Sequence, residues 1–141
     1  MKTTAQILRD YRGPALFSFG FRPFFLLASI WAALSVPLWL LSYLAAGDTA
    51  AAIFTRDWHI HEMLFGYTAA VIVGYMTIAG ANWTGHYPVA GWPIAVLVAI
   101  WIAGRAAMLA YPMLGLAAAI IDAAFLFLFS LALWRELLAA T

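Results

Sequence analysis

PIAVLVAIWIAGRAAMLAYPMLGLAAAIIDAAFLFLFSLALW, residues 93–134, decides the fold. It is two apolar runs joined at Tyr111-Pro112, and its only charged residues are Arg105 and Asp122. A helix that crosses hydrocarbon needs about 20 mostly apolar residues, and each run is about that long. The pattern predicts helices over 93–111 and 113–134, folded back as an antiparallel hairpin because the proline leaves room for only a tight turn. Working outward, the same length criterion predicts spans over 58–80, with a polar start, and over 24–45. Pro23 and Pro93 suit first turns, and Pro37 is expected to kink the first helix. Trp58, Trp83, Trp92, Tyr111 and Trp134 fall at predicted ends, as an aromatic belt requires, whereas Trp31, Trp39 and Trp101 lie within helices.

Composition agrees. Of 141 residues 67% are hydrophobic and 9% charged, too little charge to wet a surface. The predicted class is all-α: a polytopic membrane protein with four transmembrane helices in an up-down bundle, 1–141 forming one transmembrane domain. No cysteine is present, which excludes disulfides, thiolate metal sites and cysteine nucleophiles. The net charge of +1 carries no message about nucleic acid or acidic partners, and no residue set resembles a nucleic-acid patch, so nucleic acid is not an expected partner. No cleavable signal is expected, since the first apolar run exceeds the roughly 7–15 residues of a signal core. Lys2, Arg9, Arg12 and Arg22 precede the first span and Arg135 follows the last, against Arg56 alone on the other side. The positive-inside rule then predicts a multi-pass protein with both termini cytoplasmic.

Charges inside a bilayer are costly, so they have partners or functions. His59, His61, Glu62, Arg105 and Asp122 all fall toward the end of the bundle that carries the 47–57 loop. Arg105 and Asp122 flank the hairpin turn at similar depth. They read either as a structural ion pair, or as an anchor for an anionic ligand group such as a haem propionate beside a proton-carrying carboxylate. Histidine is the commonest metal ligand, which makes His59 and His61 candidate metal ligands and Glu62 a candidate carboxylate beside them. At i and i+2 the imidazoles point about 160° apart on a regular helix, so they share one ion only if the turn is irregular. On the helical wheel His59 and Glu62 align with Gly66, Ala70 and Gly74, a small-residue face that admits another helix. His61 aligns with Phe65, Thr68 and Ile72, a bulkier face for lipid, a flat cofactor or another subunit. The alternative is a pair of interfacial histidines that anchor a helix end. His86 lies at the opposite end and reads as a loop histidine. Asn82-Trp83-Thr84 matches a glycosylation sequon on the predicted cytoplasmic side, where it carries no meaning.

Phe21-Arg22-Pro23-Phe24-Phe25, then Trp58-His59-Ile60-His61-Glu62-Met63-Leu64-Phe65-Gly66-Tyr67, then Asn82-Trp83-Thr84-Gly85, and finally Gly104-Arg105 together resemble the NnrS family of bacterial membrane proteins. The resemblance implies a role in the nitric oxide response, with haem and/or copper as cofactor and nitric oxide as a possible small-molecule ligand. Carried over residue by residue, it implies His59 and His61 as ligands, Glu62 as a supporting carboxylate and Arg105 as an electrostatic anchor. Members of that family are considerably longer, which implies a short form, a fragment, or a subunit that forms a homo-oligomer. A cofactor-free membrane scaffold or assembly subunit is the alternative, and no residue set specifies a catalysed reaction.

Overall fold

The computed structural model describes residues 10–44, 53–85 and 89–139. His86 and Gly47-Asp48-Thr49 lie outside the described residues. Those described are helical, with no strand among them, and four helices are long and apolar enough to cross a membrane. They are α1 (Phe21–Leu44), α2 (Arg56–Thr84), α3 (Trp92–Leu109) and α4 (Leu116–Ala139).

Local chemistry explains where the ends depart from the sequence expectation. Thr55 caps α2, its hydroxyl accepting the Trp58 N–H at 3.1 Å, so the helix begins at Arg56 rather than 58. It continues past 80 to Thr84 and stops at Gly85, whose φ of 68° is left-handed. The hairpin is more elaborate than a Tyr111-Pro112 turn. The third helix ends at Leu109, Tyr111–Leu114 makes a separate single turn, and Gly115 at φ 50° reverses the chain into α4. Pro112 sits in the first turn of that short piece, where its missing N–H leaves no bond unmade. The last helix accordingly starts at Leu116 rather than 113 and runs beyond 134 to Ala139. The first helix begins at Phe21 and runs through Pro37.

The α3 helix packs chiefly on α4, α1 on α2, and the two pairs join through α2 and α4. The core between them holds Phe24, Ala28, Ala70, Val73, Ile94, Val98, Trp101, Phe125 and Phe129. Phe24 and Phe125 meet with ring centroids 5.6 Å apart. At one end the Gly91 N–H donates to the Phe17 carbonyl at 2.8 Å, which holds the starts of α1 and α3 side by side. Leu26, Ile30, Leu34 and Leu41 of α1, and Ile120, Phe127 and Leu131 of α4, are exposed on the outside. An apolar exterior over an apolar core suits lipid as the surrounding medium. Trp83, Trp92 and Trp134 are exposed at helix ends, as an aromatic belt requires. Trp58 is not: it is buried, edge-on to Phe54 at 4.9 Å and to Trp31 at 6.5 Å.

Candidate functional site

The buried charges converge. Glu62 on α2, Arg105 on α3 and Asp122 on α4 are all buried, Glu62 completely. Arg105 Nη1 donates to Glu62 Oε2 at 2.5 Å, and Arg105 Nη2 donates to Asp122 Oδ1. His61 closes the circuit. Its Nδ1 lies 3.2 Å from Glu62 Oε1 and its Nε2 3.2 Å from Asp122 Oδ2. Four ionisable side chains thus form a ring across three helices. The α1 helix joins through Trp31, whose Nε1 donates to Glu62 Oε2 at 2.9 Å. The ion pair between Arg105 and Asp122 is therefore part of a larger set, in which one guanidinium serves two carboxylates.

The geometry constrains the protons. A neutral imidazole donates from only one nitrogen, yet both nitrogens of His61 face carboxylate oxygens. An imidazolium satisfies both contacts and balances two positive against two negative charges. The alternative, a neutral imidazole with one protonated carboxyl, has the same total charge. Neutrality matters here because an uncompensated charge in a bilayer costs several kcal/mol.

The α2 helix makes room for this ring by widening. Glu62–Thr68 is π-helical, which shifts the register just past His61. Gly66, in that segment, faces the ring: a Cβ there would lie 2.5 Å from Arg105 Nη1, 2.9 Å from Glu62 Oε2 and 2.9 Å from Trp31 Nε1. Its carbonyl accepts the Trp101 indole N–H at 3.0 Å. Trp101 also lies under the guanidinium, 5.7 Å from Arg105 Cζ to ring centroid, and edge-on to Trp31 at 6.2 Å. On α3 the absence of a side chain at Gly104 lets α4 approach, for a Cβ would sit 3.2 Å from Asp122 Cα. Gly66 was read from the sequence only as part of a small-residue face, and the tryptophans Trp31 and Trp101 were not among the site candidates. The available signal was their position, since a tryptophan buried in mid-helix needs an acceptor for its N–H. Trp101→Phe should remove that donor while keeping an aromatic ring, lowering stability by about 1 kcal/mol, as measured by thermal unfolding in detergent.

The two histidines of α2 part company. The His61 ring stacks on Phe65 at 5.0 Å while its nitrogens turn inward to the carboxylates. His59 does not join Glu62. It lies flat on Trp39 of α1, with centroids 4.2 Å apart and planes 11° apart, and its Nδ1 is buried without a partner. The imidazoles therefore serve different faces, as i and i+2 spacing implies. A single metal held by both does not fit this arrangement. Among the described residues no group of three or more His, Cys, Asp or Glu side chains is arranged to hold a metal ion. His61 has both nitrogens engaged, and the two carboxylates already face a guanidinium. His59, which meets no carboxylate among the described residues and has an unpartnered ring nitrogen, fits the part of a single imidazole ligand.

Comparison with curated proteins gives no match, and comparison with solved structures gives none either. A family model does match, described as NnrS protein, and it covers residues 15–141, nearly the whole chain. With four apolar helices, a ring of buried charge at the motif that opens α2, and that match on the page, the chain belongs to the NnrS family.

Proposed function

We propose that this protein is a multi-pass protein of the bacterial cell membrane that serves the nitric oxide response by holding a haem or copper centre at the loop end of α1 and α2. The observation that carries the reading is His59: among the described residues of this NnrS-family chain, it is the imidazole with a buried ring nitrogen and no carboxylate attached. Haem iron and copper both accept imidazole nitrogen, and when bound either would supply the affinity for a small diatomic gas. The chain's own residues do the rest. Trp39 fixes the plane of the His59 ring by stacking on it. Arg105, held by Glu62 and Asp122, sets a fixed electrostatic environment nearby, and the apolar exterior admits an uncharged gas from the lipid. Among the described residues His59 alone fits as a ligand, so any further ligands would come from outside them. Arg12, Arg22 and Arg135 lie toward the end opposite Arg56, which supports cytoplasmic termini by the positive-inside rule.

The test is optical and elemental. Protein purified in detergent from haem-replete, copper-supplemented cells should show a Soret band or bound copper, lost in His59→Ala. His61→Ala should weaken the signal less, by disturbing the ring of charges. A colourless, metal-free protein would instead support the cofactor-free assembly subunit.

A further inference from the structure

Hydroxyls in this bundle mostly satisfy themselves. Ser29 donates to the Phe25 carbonyl at 2.8 Å, Thr77 to Gly74 at 2.7 Å and Thr84 to Gly80 at 2.9 Å. Ser35 and Ser42 do not: both are buried, and neither hydroxyl has a partner among the described residues. Trp58 Nε1 and His59 Nδ1 are buried and unpartnered in the same way. Trp31, Ser35, Trp39 and Ser42 follow one another along a single face of α1, at helical spacings of four, four and three residues. That face meets the first turn of α2, because Trp31 touches Trp58 and Trp39 stacks on His59. Ser35, fully buried, lies one turn from each of those tryptophans. Of the five buried polar atoms without a partner among the described residues, four thus lie in this seam, and the fifth, Arg105 Nε, lies in the ring of charges.

We propose that the α1/α2 seam is a water-binding site, with a short file of ordered water entering from the loop end of the helices and reaching Ser35. The donor and acceptor inventory selects water. The Trp58 indole only donates, a serine hydroxyl donates and accepts, and an imidazole nitrogen takes either role. Water, which both donates and accepts, suits each of these groups, whereas a cation cannot accept from the indole and an anion cannot donate to the imidazole nitrogen. Burying such groups unpaired costs more than a hydrogen bond returns, and buried water making about three bonds is the usual remedy. The path does not end there. Trp31, in contact with Trp58, donates to Glu62, so the file stops one indole short of the ring of charges. The same Nδ1 is the nitrogen offered above to a cofactor, which would displace this water; the proposal concerns the protein without one.

The chain has no cysteine, so a single introduced thiol is the only one present. In protein reconstituted in lipid vesicles, silver ion reacts with thiolate, which forms in water and not in hydrocarbon. The readout is the block of later maleimide labelling in the unfolded chain. Ser35→Cys and Ser42→Cys should be blocked about tenfold faster than Ser29→Cys, which faces outward on the same helix. Ser35→Cys reacting no faster than Ser29→Cys overturns the proposal. A second measurement needs no substitution and covers a variant that fails to fold. Brief X-ray radiolysis makes hydroxyl radicals from water in place, and Trp58 should be oxidised several-fold more than Trp101, whose indole is bonded to the Gly66 carbonyl. Equal oxidation of the two buried tryptophans likewise overturns it.

Discussion

Arg105→Ala should nearly abolish the folded protein, and adding Asp122→Ala should restore part of it. The single change leaves Glu62 and Asp122 in the bundle with His61 between them and only the Trp31 indole besides, which donates to Glu62. Removing one partner from a buried ion pair costs about 3–5 kcal/mol, a large share of the 5–15 kcal/mol that holds a typical protein folded. In the double variant the surviving Glu62 and His61 balance each other, so the orphan carboxylate is gone although a cavity remains. Coupling of this kind is what a double-mutant cycle detects. Monodisperse yield on size exclusion in detergent, with the unfolding temperature, measures both. Equal loss in the single and double variants would show that Arg105 and Asp122 do not depend on each other. Arg105→Lys should fall between, since an ammonium keeps the charge but lacks the fork that reaches Glu62 and Asp122 together.

Gly66→Ala should be the most damaging of the small substitutions. One methyl group there meets three atoms of the cluster at once, each within 2.9 Å, and none can retreat without breaking a bond described above. Overpacking of this kind costs about 1–3 kcal/mol. Gly80→Ala, on the same helix, is the matched comparison. Its methyl would touch Leu133 Cδ1 at 2.9 Å, the end of a side chain free to rotate, so its change in unfolding temperature should be slight. Equal effects at the two positions would mean that the cluster is looser than its hydrogen bonds imply. Gly66→Ala should also shift tryptophan fluorescence, because Trp31 and Trp101 both contact this point.

Much of this was legible in the residues themselves. The four apolar runs were plain because a bilayer imposes a length and a composition on any segment that crosses it. The small-residue face of α2 was legible in part: Glu62, Gly66, Ala70 and Gly74 are buried, but His59, which the wheel sets beside them, lies on Trp39, and His61, which it sets on the bulky face, joins Glu62. Capping was the harder part. Thr55 and Gly85 lengthen α2, and Gly115 delays α4, through backbone geometry that hydropathy does not register.

The sequence by itself determined the medium, the number of helices and which few residues had to be explained, because charge in hydrocarbon has so few acceptable settings. Tertiary structure decided their partners. No spacing along the chain says that one guanidinium bridges Glu62 and Asp122, that His61 turns inward between them, or that His59 turns away onto Trp39. Those contacts depend on a π-helical turn that resets the register at Glu62, and on glycines at 66 and 104 that let helices close to contact distance. Each is a consequence of packing between segments far apart in the chain.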